Sequence, residues 1–285
     1  MDVSVIIVNY NTRQMTCDCL NSIRMQTKDV NYEVIVVDNA STDDSVSYIK
    51  SYFEWVRVIV SDQNLGFGKA NNRGALEARG KYLFFLNSDT LLLNNAIHSF
   101  FSYMERDKEA GAIGGILLNE QGQVSFSYNR FPSPQTELKY VLNKMFRRPT
   151  IPLPSSQPVS VDFISGADLF LSRATFERLN GFDPVFFMYY EEVDLQKRMD
   201  SFGWKRIILP EVRIIHLEGG SFASKKLTFS RFLIAQKSFN HYITKHYRGG
   251  AKLGFRIVMG GLRLTLFFNR WTWKEKCVAY LHVWK

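Results

Sequence analysis

The chain opens with four short apolar runs that each stop abruptly near small polar residues: VSVIIV at 3–8, EVIVV at 33–37, VRVIV at 56–60 and KYLFFL at 81–86. A strand with one wet face alternates apolar and polar residues, whereas a nearly unbroken aliphatic run fits a strand covered on both faces. Segments of helical character separate the runs, reaching to about Met25, to about Tyr52 and across 70–79. Strands alternating with helices predict an α/β fold with a mostly parallel central sheet flanked by helices. In such sheets ligands bind beyond the carboxyl ends of the strands. Asn9-Tyr10-Asn11, Asp38-Asn39 and Asn87-Ser88-Asp89 all follow strand ends, so they are expected to converge on one edge.

The usual nucleotide loops do not account for that edge. Gly66-Phe67-Gly68-Lys69-Ala70-Asn71 lacks the third glycine of G-x-G-x-x-G, and the phosphate loop fails because Gln63 and Ala70 replace its first glycine and its hydroxyl. Carboxylates and amides instead suit hydrogen bonds to a base and a ribose. Asp89 suits a hard divalent cation that neutralises a diphosphate, although an aspartate after a strand also serves as a helix cap or turn former.

Composition narrows the class. A chain of 285 residues with 46% hydrophobic and 14% aromatic content can bury a full core, which excludes a disordered protein. Cys17, Cys19 and Cys277 make neither a disulfide framework nor a zinc ligand set, so free thiols in a reducing compartment are expected. The first residues, MDVSVIIVNYN, are unlike the basic and apolar regions of a signal peptide, which points to a cytoplasmic location.

In the second half, FFMYYEEVDLQKRM at 186–199 sets aromatic residues directly before three acids and a helical pattern. Glu191 and Asp194 are expected to share one helix face and Glu192 to point elsewhere. Acids in a first helical turn are favoured by the helix dipole alone. Aromatic residues abutting them suggest more, because a ring binds the apolar face of a sugar while a carboxylate takes a proton from a hydroxyl. Further on, 205–210 and 212–216 read as two short strands, with His216 at the end of the second and Gly219-Gly220 following. Facing Asp89, that histidine would complete a metal site suited to Mn2+ or Mg2+.

Residues 126–160 carry six of the eight prolines and fit no long sheet element, so they are read as a surface connection or an acceptor-side loop. The net charge of +9 is uneven, with 13 lysines and arginines against one acid, Glu275, in 222–285. If helical, that tail gathers Lys245, Arg248, Lys252, Arg256, Arg263, Arg270 and Lys274 on one arc flanked by apolar residues, with breaks at Gly249-Gly250 and Gly260-Gly261. No run reaches the length of a membrane span, and a basic amphipathic extension suits the anionic surface of a bilayer. A packed helix that closes the domain is the alternative. No nucleic-acid recognition motif accompanies the charges.

The set VSVIIVNYNT, VIVVDNASTDDS, NLGFGKANNRG, YLFFLNSDT, NGFDPVFFMYYEEVDLQKR and IIHLEGGS resembles glycosyltransferase family 2, in particular its rhamnosyltransferase-like members that build bacterial surface polysaccharides. The resemblance covers roughly residues 1–222 and implies a GT-A fold over them, with 1–115 as the nucleotide-sugar half, 116–222 as the acceptor and catalytic half, and 223–285 as a helical basic extension. It implies an inverting transferase that uses a nucleotide-diphospho-sugar, dTDP-rhamnose or a UDP-sugar, with Mn2+ or Mg2+ and a lipid-linked or polysaccharide acceptor, peripheral on the inner face of the cell membrane. Carried over, Asp38 meets the base, with Asn9, Tyr10 and Asn11 around it and Asn64, Gly66 and Asn72 on the ribose and phosphate side. Asn87-Ser88-Asp89 matches the D-x-D element with Asn87 in place of its first acid, and His216 joins Asp89 at the metal. Glu192 matches the catalytic base, with Glu191 and Asp194 as alternatives, and Gly166, Ala167, Tyr189, Tyr190 and Glu191 lie near the sugar or acceptor. A catalytically degenerate sugar-nucleotide-binding protein of the same fold stays open, favoured by Asn87.

Overall fold

The computed structural model describes residues 1–146, 156–217, 228–263 and 271–282. The first half is a regular alternation: β1 (Val3–Asn9), α1 (Arg13–Gln26), β2 (Tyr32–Asp38), α2 (Ser45–Tyr52), β3 (Val56–Val60), α3 (Phe67–Leu76) and β4 (Tyr82–Asn87). β1 pairs in parallel with both β2 and β4, and β2 with β3. The runs of β1, β2 and β4 are buried on both faces for the reason anticipated, whereas β3 is the edge strand and only partly covered, with Val60 42% exposed. Val3, Val5 and Ile7 of β1 join the core beneath α1, whereas Ile6 joins the core beneath α3.

The second half departs from a purely parallel sheet. β5 (Thr90–Leu92), α4 (Ala96–Arg106), β6 (Ala110–Leu118) and β7 (Tyr128–Asn129) lead into α5 (Pro134–Met145). After it come β8 (Val159–Val161), β9 (Phe163–Ile164), β10 (Asp168–Ser172), α6 (Arg173–Arg178), α7 (Glu191–Met199) and β11 (Lys205–His216). The described residues form a nine-stranded sheet in the order β3-β2-β1-β4-β10-β6-β11-β5, with β8 also on β11. β10 is inserted antiparallel between β4 and β6, with Asp168 opposite Leu86. That register brings Ala167 against Asn87, whose N–H donates to the Ala167 carbonyl over 3.0 Å.

Three expectations need correcting. The two short strands at 205–210 and 212–216 are one strand, whose register on β6 shifts between Lys205 and Arg206 and again between Ile208 and Arg213, where Pro210 has no N–H to give the ladder. Residues 126–160 contain a helix, α5: Pro134 takes a first-turn position where its missing N–H costs nothing, and Ser133 Oγ accepts from Thr136 N over 3.0 Å. Residues 147–155 of that segment lie outside the described residues. In the tail, α8 (Phe229–His246), α9 (Gly249–Arg263) and α10 (Trp273–Leu281) are separate helices. A break does fall just before Gly249-Gly250, but Gly260-Gly261 sit inside α9, so the basic residues do not share one helix. Gly219-Gly220 and Arg270 lie outside the described residues.

The tail helices pack on the second half of the chain. Phe239, Tyr242 and Ile243 of α8 and Phe255 and Met259 of α9 share a core with Phe131, Phe163, Phe186 and Val193. Each large apolar side chain buried there contributes about 1.5–3 kcal/mol.

Gly80 closes the turn into β4 so tightly that a Cβ would stand 2.4 Å from the backbone nitrogen of Ser4 and 2.6 Å from the Val3 carbonyl carbon. Backbone at the start of β1 has no means of yielding, so Gly80→Ala is expected to lower stability by about 1–3 kcal/mol, read as a lower urea midpoint at unchanged slope.

Candidate active site

A cavity of about 750 Å3 opens over the carboxyl ends of β1 and β4. Tyr10, Asn39, Asn64, Asn87, Ser88 and Asp89 line it from the first half of the chain, and Ser165, Gly166, Ala167, Tyr189, Glu191, Glu192 and His216 from the second. The polar clusters thus converge as the strand pattern requires. Asp89 and Glu192, separated by a hundred residues of chain, face one space.

Several expected ligand-binding residues instead lie behind its lining. Asn9 is fully buried, donating from Nδ2 to Asp38 Oδ1 at 2.7 Å and to Ser41 Oγ at 3.0 Å, and accepting from Thr12 and Thr16. Asp38 is 2% exposed and also accepts from Ser41 N at 3.0 Å, so both its oxygens are engaged. Asn11, at φ +54°, accepts from Thr42 N at 2.7 Å and holds the neighbouring loop. Asn72 clamps the Phe182 backbone, donating to its carbonyl at 2.7 Å and accepting from its N–H at 2.9 Å. None of these four is among the cavity-lining residues.

Asn64 does line the cavity, and its Oδ1 accepts from Gly66 N at 2.9 Å and from Asn39 Nδ2 at 3.0 Å. Gly66 has φ +79°, and a Cβ on it would lie 2.1 Å from the Phe187 carbonyl oxygen. Only glycine permits that approach. The adjacent Phe67 N–H donates to the same oxygen over 2.8 Å.

On the opposite wall, His216 is paired with Thr90 across β11 and β5, which sets its Nε2 3.3 Å from Asp89 Oδ1. Asn87 Nδ2 lies 3.4 Å from the same ring nitrogen. Asn87 Oδ1 is buried with no hydrogen-bond partner, and a buried acceptor left unpaired needs an explanation. A carboxylate, an imidazole and an orphaned amide oxygen on one wall fit a divalent cation. Among the described residues no three His, Cys, Asp or Glu side chains gather, so these side chains could supply such an ion with only part of a ligand set.

α7 presents Glu191 and Glu192 at its N-terminus, and both face the cavity. Asp194 does not share that face with Glu191, contrary to the helical spacing. It is fully buried and turned toward Arg198 at 2.9 Å, Lys245 at 2.8 Å and His246 at 2.7 Å. Burial pushes the Asp194 carboxyl up, but the hydrogen bond from His246 and the neighbouring cations more than offset this and hold it below the usual range. That leaves it no place as a base. Glu191 and Glu192 each have Oε2 buried without a hydrogen-bond partner. Burial pushes Glu192 up to about 6, and burial together with the charge of Glu192 pushes Glu191 well above the ordinary range.

The approach to α7 is strained. Tyr189 and Tyr190 have φ +70° and +68°, and such conformations cost about 1–3 kcal/mol each. α8 holds them in place. Tyr190 packs on Phe239 and Tyr242 rather than facing the cavity, Ser238 Oγ donates to the Met188 carbonyl at 2.8 Å, and Arg231 donates to the Tyr189 hydroxyl at 3.3 Å. Arg231, Asn119, Glu120, Gln121, Phe126 and Phe187 also line the cavity and were not singled out from sequence. Phe187 lay within a quoted motif, but nothing in the local pattern marks Arg231, which falls in a tail read for its net charge.

Comparison with known proteins agrees with this geometry. The model described as Glycosyl transferase family 2 matches residues 4–178. The N-acetylglucosaminyl-diphospho-decaprenol L-rhamnosyltransferase of Mycobacterium tuberculosis is 29% identical over 203 residues, covering 64% of this chain and 66% of that one. The chain therefore spans slightly under two thirds of that relative. Rhamnosyltransferase WbbL of Escherichia coli is 26% identical over 237 residues, 78% of this chain and 87% of that protein. Among solved structures, GalNAc-T7 with UDP, GalNAc and Mn2+ superposes with a TM-score of 0.64 at 16% identity, covering 86% of this chain and 48% of that one. A mannosyltransferase from Pyrobaculum calidifontis in complex with GDP-Man and Mn2+ gives 0.60 at 18%, covering 99% and 72%. At these identities the likeness establishes the GT-A fold.

Glu191 carries a folded-state pKa raised above its unfolded value, so its contribution to stability is fully present below the unfolded pKa and is lost as pH rises through the folded one. Glu191→Gln is accordingly expected to melt above the parent at pH 7.5, with the difference shrinking toward pH 4.5 in thermal scans.

Proposed function

The chain belongs to glycosyl transferase family 2, and from that premise we propose an inverting transferase that moves a sugar from a nucleoside diphosphate to a hydroxyl of a lipid-linked or polysaccharide acceptor in cell-surface glycan synthesis. The observation that carries this reading is the shared cavity of Asp89 and Glu192. Rhamnose, the sugar named in two of the relatives, makes dTDP-rhamnose the first donor to test, and UDP-sugars the next. Donor and acceptor sites fall within the expected 1–222 unit, and α8 and α9 brace them, with Arg231 of α8 reaching the cavity.

In this reading Asn39, Asn64 and Tyr10 bind the nucleoside side, while Asn9, Asp38 and Asn72 act by fixing the loops that present them. Asp89 and His216, with Asn87 Oδ1, hold Mn2+ or Mg2+; the chemistry such an ion supplies when bound is neutralisation of the departing diphosphate. Gly166 and Ala167 form the floor under the sugar, where a Cβ at 166 would meet Glu192 carbons at 3.4 Å. Glu192 takes the proton of the attacking hydroxyl in a single displacement. Glu191, adjacent and less ready to ionise, donates a hydrogen bond to a hydroxyl. Tyr189 and Phe187 flank the carboxylates as apolar surface for the acceptor.

Glu192 is competent only when ionised. Since its pKa is raised to about 6, kcat/KM should fall on acidification with a midpoint near that value rather than near the 4.5 of an ordinary glutamate. Glu192→Gln should keep donor affinity within about threefold and lose transfer by about 100-fold or more; a variant with parental turnover rejects the base. A degenerate binder would show neither transfer nor slow metal-dependent donor hydrolysis in the parent chain.

Asp89→Ala tests the other wall. Calorimetry with a nucleoside diphosphate and Mn2+ should show affinity reduced by about tenfold or more, with the metal-free affinity unchanged. Equal Mn2+ enhancement in parent and variant rejects a metal role for Asp89.

A further inference from the structure

The tail helices do more than brace the site. On α9, Phe255 and Met259 are 1% and 7% exposed and point into the core, whereas Leu253 and Ile257, on the opposite side of the same helix, are 56% and 59% exposed. α5 lies alongside, with Pro134 Cγ 3.3 Å from where a Cβ on Gly254 of α9 would stand. It carries its own exposed pair one turn apart, Leu138 at 48% and Leu142 at 40%. Two neighbouring helices thus each hold an i, i+4 apolar pair out to solvent, a pattern that marks an interaction surface.

Charge identifies what meets it. Lys252 and Arg256 rim the notch between α8 and α9, and Arg248 stands at the start of α9. No acid pairs with any of the three among the described residues. Lys245, assigned by sequence to the same stripe, is instead committed to Asp183 at 2.6 Å and Asp194 at 2.8 Å. Three cations with no acidic partner among the described residues therefore stand on the flank of the apolar pair. A two-fold pairing of copies through this face would oppose like charges. No described helix is long and apolar enough to cross a membrane.

We propose that the face formed by α5 and α9 docks on an anionic lipid bilayer, with Leu138, Leu142, Leu253 and Ile257 entering the headgroup boundary and Arg248, Lys252 and Arg256 against lipid phosphates. The proposal rests on the transferase reading for its purpose, delivery of the cavity to a lipid-linked acceptor.

The test is co-sedimentation of the full chain with vesicles of phosphatidylcholine alone or mixed with phosphatidylglycerol. The parent should pellet with the mixed vesicles, much less with neutral ones, and less in high salt. Leu253→Glu with Ile257→Glu should weaken binding by about tenfold or more, because it removes the apolar term and adds repulsion. Lys252→Gln with Arg256→Gln should weaken binding to mixed vesicles and reduce its salt dependence; this pair serves if the first variant fails to fold. Parental binding by both variants overturns the face, as does a parent that ignores vesicles, that binds only nucleic acid, or whose first variant merely turns a dimer into a monomer. Donor hydrolysis in the same samples separates the two readings. Vesicle binding without hydrolysis supports the face and strikes the transferase, and hydrolysis without vesicle binding does the reverse.

Discussion

Asp194 has no exposed surface, yet its carboxylate is ionised and held by Arg198, Lys245 and His246. Removing charges from water is expensive, and a buried ion pair commonly adds little net stability. What this cluster supplies is placement. Arg198 is one turn along α7, where it also donates to the Gly181 carbonyl at 2.8 Å, and Lys245 and His246 are the last turn of α8. One buried charge therefore ties the helix bearing Glu191 and Glu192 to the loop before it and to the tail helices behind it. Moving α8 would take both Lys245 and His246 away from a carboxylate buried in the core, which fixes where α8 sits.

That seat explains the strained backbone at Tyr189 and Tyr190. A turn with two consecutive left-handed tyrosines would relax if it were free. Here ring packing on Phe239 and Tyr242 and the Ser238 hydrogen bond to Met188 oppose the relaxation. The strain aims Glu191 and Glu192 into the cavity while Tyr190, half-buried, packs behind them. A helix starting at residue 191 with relaxed entry would lose that aim.

The sheet was legible because its cause is local. Val3 to Val8 and its three counterparts could be buried only as strands, and the polar stops after them marked the functional edge. Asp89, His216, Glu191 and Glu192 were legible for a related reason, since each sits at the end or start of a regular element. What could not be read was anything set by distant partners. Asp194 follows Glu191 at a spacing that puts both on one helix face, and only Lys245 and His246, fifty residues away, turn it aside. Asp38 and Asn9 carry ligand-binding chemistry in their side chains but use it on each other. Arg231 reaches the cavity because α8 folds back, which no pattern within the tail records. α5 was obscured by the prolines around it, although Ser133 and Pro134 form an ordinary helix start.

The contact of Gly66 with the Phe187 carbonyl, sealed by the Phe67 N–H, is the one main-chain bridge described between the turn that carries Asn64 and the loop that leads to Glu192. Neither segment shifts without pulling the other. A change in the path of the Asn64 turn is felt at the start of α7 without any side chain carrying it. Two walls of one cavity are thereby geared together by a single backbone crossing.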